Sequence, residues 1–84
     1  MQTFYAYVLY SKAHDKIYIG FTSNLEGRLR YHNHFATKGY TIKFRPWELV
    51  FSESFSQKGE AMKREKQLKS ANGRIFIRSL ILIN

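Results

Sequence analysis

KIYIGFTSNLEGRLRYHN, residues 16–33, decides how the chain folds. Its first half alternates. Ile17, Ile19 and Phe21 stand opposite Lys16, Tyr18 and Gly20, the period of a half-buried strand with the first trio on the core face. Its second half changes period. Ser23-Asn24-Leu25-Glu26 has the S-x-x-E form of a capping box, which predicts a helix capped by Ser23 and running to about residue 34. On that helix Leu25, Leu29 and His32 fall on one side, and Arg28 falls there too. A charge aimed at the core side is costly unless something needs it there. On the strand, Tyr18 lies beside a bare glycine, where a ligand could approach the backbone closely.

Outward from this stretch, FYAYVLY (4–10) is aromatic and β-branched and predicts a strand. The turn SKAHD joins it to KIYIGF (16–21) as a β-hairpin. ATKGYTIKFRP (36–46) has turn residues and no period, and reads as a loop. WELVFSESF (47–55) places Trp47, Leu49, Phe51 and Phe55 on one face of a third strand. Ser56 can cap a helix through about Lys69, and Asn72-Gly73 breaks it. RIFIRSLILI (74–83) has the β-branched residues of a strand, but Phe76, Leu80 and Ile83 fit a helical stripe. Its length and a cap at Asn72 favour the helix. The order β-β-α-β-α-α predicts an α/β (α+β) fold, a small three-stranded antiparallel sheet with helices packed against it, as one domain over residues 1–84.

Composition narrows the function. The 84 residues contain no cysteine, which removes disulfides and thiolate zinc sites. Seven Phe, six Tyr and one Trp must supply much of a modest core. No signal peptide or membrane-length apolar run is present, so a soluble cytoplasmic protein without membrane contact is expected. Net charge is +8, from 14 basic against 6 acidic residues, and the basic residues cluster. Arg28, Arg30, Lys38, Lys43 and Arg45 form one segment, and Lys58, Lys63, Arg64, Lys66, Lys69 and Arg74 another. Such clusters fit a polyanion, above all nucleic acid. Asp15 is the only aspartate, so the clustered carboxylates of a two-metal nuclease are missing. No Gly-rich phosphate loop, nucleophile elbow or Cys–His couple is present.

The helix after Ser56 repeats the anomaly of the first. Ala61, Met62 and Leu68 form its apolar stripe, and Glu65 shares that face. Arg28 and Glu65 could neutralise each other across a helix–helix contact. Each could instead sit at the stripe's edge and reach water. Or both line a cleft, where Glu65 holds a cation and the planar fork of Arg28 meets a phosphate.

Tyr18-Ile19-Gly20, followed by Thr22, Leu25, Arg28, Leu29 and His32, resembles the core signature of the GIY-YIG nuclease superfamily. Tyr5-Ala6-Tyr7-Val8-Leu9 is similar to that family's first motif, with Tyr5 and Ala6 in place of its glycine and isoleucine. EAMKREKQLK (60–69) resembles the helix that carries its metal-binding glutamate, which falls on Glu65. The likeness covers nearly the whole chain and is nearest to small single-domain bacterial members. The resemblance implies a three-stranded α/β fold and cleavage of a DNA phosphodiester by water with Mg²⁺, or another divalent ion such as Mn²⁺. It implies that Tyr7 or Tyr18, assisted by the other or by His32, deprotonates the water. Arg28 would stabilise the phosphoryl charge, and Glu65 would hold the metal. Repair, recombination or turnover of DNA are the expected settings. Arg30, Lys38, Lys43, Arg45, Lys63, Lys66 and Lys69 are the expected nucleic-acid contacts, with no small-molecule cofactor. The apolar LILIN end could support a homodimer. The alternative function is a nucleic-acid-binding module of the same fold that cuts weakly. One geometric demand follows. Tyr7 and Tyr18 must share a sheet face, so paired residues of the hairpin must have numbers with an odd sum.

Overall fold

The computed structural model describes residues 2–37 and 39–83. Three strands, β1 (Phe4–Ser11), β2 (Lys16–Thr22) and β3 (Glu48–Phe55), form an antiparallel sheet in the order β2-β1-β3. Helix α1 (Leu25–Arg30) runs into a wide π-helical turn over Tyr31–Phe35. A one-turn helix α2 (Tyr40–Lys43) follows, and α3 (Lys58–Lys69) and α4 (Ala71–Ile83) complete the α+β fold. No helix among the described residues is long and apolar enough to cross a membrane.

The central strand explains the two-sided architecture. Ala6, Tyr7, Val8 and Leu9 of β1 are all buried, which requires cover on both faces. Ala6 and Val8 meet Ile19, Leu68 of α3 and Ile77 of α4. Tyr7 and Leu9 meet Trp47, with Tyr18, Leu25, Leu29 and Phe44 around them. One face is thus an aliphatic core under α3 and α4. The other is an aromatic core under α1.

The hairpin pairs Tyr7 with Gly20 and Leu9 with Tyr18, an odd sum, so Tyr7 and Tyr18 share the aromatic face. The open space expected beside Gly20 is filled by Tyr7. A Cβ at Gly20 would lie 2.6 Å from the Tyr7 hydroxyl oxygen. Asp15 closes the hairpin with a positive φ of 53°. Its carboxylate accepts from Tyr10 Oη at 2.9 Å and pairs with Arg78 of α4.

Several local expectations are corrected. The cap of α1 is Asn24, whose Oδ1 accepts Gly27 N–H at 3.0 Å. Strand β2 runs on to Thr22, whose Oγ1 accepts Asn24 N–H at 3.1 Å, leaving Ser23 as the corner. The segment 36–46 contains α2 rather than being all loop. Strand β3 does not keep one apolar face. A bulge lets Val8 pair with Phe51 and Leu9 with Leu49, with Val50 as the extra residue. Phe51 and Phe55 join the aliphatic core, whereas Trp47 lies in the aromatic one. Helix α3 starts after Gln57 without a side-chain cap, so Ser56 is not its cap. The break before α4 falls at Ser70, whose Oγ accepts Gly73 N–H at 3.2 Å, and Asn72 is inside the helix. Ile77, rather than Phe76 or Leu80 of the expected stripe, is the fully buried residue of α4 among the described side chains, Ile83 lying outside them, and Met62 of α3 is exposed.

Candidate active site

The aromatic face carries the polar groups. Tyr7 is 2% exposed and His32 4%, and the Tyr7 hydroxyl lies 3.3 Å from His32 Nε2. The other ring nitrogen, Nδ1, lies 3.1 Å from Thr41 Oγ1. The Tyr18 ring covers the imidazole at a centroid distance of 4.6 Å and stands 6.3 Å from the Tyr7 ring. Tyr7, His32 and Thr41 therefore form one hydrogen-bonded line walled by Tyr18.

The wide turn places His32. Its closing bond runs from Ala36 N–H to Tyr31 O at 2.8 Å, one residue longer than an α-helical turn. Such a turn leaves carbonyls without helical partners. Arg45 supplies donors: Nε donates to His32 O at 2.6 Å and Nη2 to Ala36 O at 2.7 Å. Asn33 clamps the same turn to the start of β3. Its Nδ2 donates to Trp47 O at 2.9 Å, and its Oδ1 accepts Trp47 N–H at 2.6 Å. Trp47 Nε1 donates to Thr41 O at 2.8 Å and so fixes the residue that orients the imidazole. Sequence alone assigns no functional role to Thr41, Asn33 or Trp47. The one local hint, for Thr41, is that YTIK (40–43) contains neither proline nor glycine.

Burial sets the proton chemistry. Desolvation comes first in raising the Tyr7 phenol far above its ordinary value, with Tyr18 and Glu65 adding to it and Arg28 opposing it. Desolvation also lowers the His32 pKa, and the charges of Arg28 and Arg45 lower it further. Tyr7 is therefore a neutral phenol and His32 a neutral imidazole at pH 7. Arg28 and Glu65 both act on the Tyr7 hydroxyl, with opposite signs.

Arg28 is exposed, its guanidinium 5.7 Å from the Tyr31 ring centre. It makes no ion pair with Glu65. Glu65, only partly exposed, lies 3.5 Å from Lys69 Nζ one turn on. A largely buried carboxylate, whose one ion-pair partner among the described residues is a lysine, can take a hard cation that keeps most of its water, as Mg²⁺ does. No cluster of three His, Asp or Glu side chains suited to a metal exists among the described residues. Arg30, Lys43, Lys63, Lys66 and Lys69 are exposed cations. Arg45 is turned inward onto the wide turn, away from the role expected of it as a nucleic-acid contact. Lys38 lies outside the described residues.

The model of the GIY-YIG catalytic domain matches residues 3–77. A UPF0213 protein of Staphylococcus haemolyticus is 43% identical over 72 residues, covering 83% of this chain and 84% of that protein. One from Natronomonas pharaonis is 42% identical over 66 residues, covering 79% and 76%. The solution NMR structure of a UPF0213 protein from Bacillus halodurans superposes with a TM-score of 0.54 at 28% identity, covering 93% of this chain and 84% of that one.

Proposed function

This chain belongs to the GIY-YIG family, a nuclease family, and from that premise we propose that it is a divalent-metal-dependent endonuclease that hydrolyses DNA phosphodiesters. The observation that carries this reading is the Tyr7–His32–Thr41 hydrogen-bonded line walled by Tyr18. The reading makes residues 1–84 one working domain, and the absence of cysteine suits the cytoplasm.

The chemistry follows from the protonation states. A buried phenol is a poor base by itself, because its anion is disfavoured. A relay avoids the anion. Water gives a proton to Tyr7 Oη as the Tyr7 proton passes to His32 Nε2. With Nδ1–H directed at Thr41 Oγ1, Nε2 carries the lone pair this needs. The water oxygen forms a bond to phosphorus, and the bond to the leaving ribose oxygen breaks. Arg28, which is exposed, meets charge on the non-bridging oxygens. Glu65 would hold the divalent ion, which polarises the phosphate and steadies the leaving oxygen. Tyr18 keeps the imidazole in place. Arg30, Lys43, Lys63 and Lys66 would contact the flanking backbone.

The Lys69–Glu65 contact favours a second reading, a nucleic-acid-binding module that cuts weakly, because a lysine already occupies the cation's side of the carboxylate. Nicking of supercoiled DNA separates the two. With Mg²⁺ the wild type should nick, EDTA should stop it, and Glu65→Ala and Arg28→Ala should each abolish it. Cutting that survives both substitutions sinks the site, and binding without metal-dependent cutting leaves the module.

A further inference from the structure

A concavity opens beside Arg28. The ends of β1 and β2, helix α1 and the first residue of α3 wall it, through Gln2, Phe21, Thr22, Ser23, Arg28 and Lys58. Its volume is about 450 Å³, larger than one phosphate and sufficient for a phosphate with its sugar. No carboxylate lines it. Among the described residues, neither Arg28 nor Lys58 has a carboxylate partner within ion-pair distance. A nearby concavity makes the contrast. There Lys63 and Arg64 face Glu53 and Glu60, and Arg64 Nε donates to Glu53 at 2.8 Å.

Two unpaired cations directed at one concavity repel each other, and an anion between them reverses the sign. Neutral donors are available as well. The Ser23 hydroxyl and the Gln2 amide make no side-chain hydrogen bond among the described residues, whereas the Thr22 hydroxyl is already engaged by Asn24 N–H. Phe21 adds an apolar wall on which a sugar can rest. The chemistry is that of a phosphodiester.

We propose that this concavity is a second phosphate site, holding the backbone phosphate next to the one that is cut, with Lys58 as its own ligand and Arg28 shared between the two. The proposal rests on the nuclease reading. Lys58 is then a positioning residue. It sets the register of the strand, so that the scissile phosphate meets Arg28 and the Tyr7–His32 line.

The test reads binding without cutting. The intact chain in EDTA is titrated with an unphosphorylated DNA oligonucleotide over about 50–200 mM KCl. Lys58→Ala should weaken binding about tenfold at the low end and reduce the slope of log affinity against log salt by about one. Lys58→Arg should restore both. Inorganic phosphate should shift the backbone amide resonances of Ser23 and Lys58 in the wild type and not the Ser23 amide in Lys58→Ala. An unchanged salt slope in Lys58→Ala overturns the site. So does a Lys58 effect that appears only when the strand carries a 5′-phosphate, since that marks a pocket for strand ends. If binding needs Lys58 while metal and DNA together give no cutting, the phosphate site stands and the nuclease reading falls. If the chain cuts while its binding is indifferent to Lys58, the nuclease reading stands and the phosphate site falls.

Discussion

At the residue scale, burial governs what Tyr7 can do. A phenol this far from water can pass a proton on but cannot rest as an anion. Tyr7→Phe keeps the ring over Gly20 and removes only the hydroxyl. Nicking should fall by about 10²–10⁴-fold while the thermal midpoint changes little, and an active, stable Tyr7→Phe would refute the relay. His32 gives a pH signature. Its pKa is lowered on folding, first by burial and then by Arg28 and Arg45. The stability it contributes is full above the ordinary histidine value of 6.5 and is lost as pH falls through the depressed value. Urea midpoints between pH 7.5 and 5 should therefore decline more steeply in the wild type than in His32→Gln. Gly20 supports the same hydroxyl. A methyl group there meets Tyr7 Oη at 2.6 Å and the ring carbon behind it at 2.8 Å. Gly20→Ala should uncouple Tyr7 from His32, with a loss of nicking greater than its loss of stability. Arg28 and Glu65 stand out in the sequence as charges on apolar stripes, whereas Tyr7, Tyr18 and His32 are ordinary residues of their elements and are singled out only by the family resemblance. The roles of Thr41, Asn33 and Trp47 were not legible, since they act through backbone carbonyls and a single hydroxyl and leave no periodic trace.

At the element scale, the wide turn after α1 is a device for turning one imidazole toward the sheet. Its own closing bond is backed by Arg45 and Asn33, which tie the turn to its surroundings. Arg45→Ala leaves the His32 and Ala36 carbonyls without these donors and should cost roughly 1–3 kcal/mol. It should also raise the pKa of His32, by removing a positive charge. Chemical denaturation reads the first effect and NMR titration of the imidazole the second. The strands were legible to within about a residue, since period two is plain in β1 and β2. The β3 face was not, because one extra residue at Val50 exchanges the two sides without altering the composition. Caps moved by a residue for a related reason. Ser23 and Asn24 are equally good caps by type, and the extension of β2 to Thr22 chose between them.

At the scale of the whole molecule, helices α3 and α4 meet so closely that Gly73 has no room for a side chain. A Cβ there would come within about 2.3–2.4 Å of the Gln67 and Leu68 carbonyl oxygens. Gly73→Ala should destabilise the fold by roughly 1–3 kcal/mol although alanine is the better helix former, and a stabilised variant would contradict the close contact. That contact sets Ile77 against Leu68 over the first strand. Arg78, one residue on, reaches the first hairpin at Asp15. Strand β1 thus comes before the other elements described here in chain order and is among the last to be covered. Its apolar residues wait for β3 on one edge and for Ile77 above. A chain held in this way gains little from folding piecemeal during synthesis. It should fold slowly for its size and cooperatively, once α4 has been made.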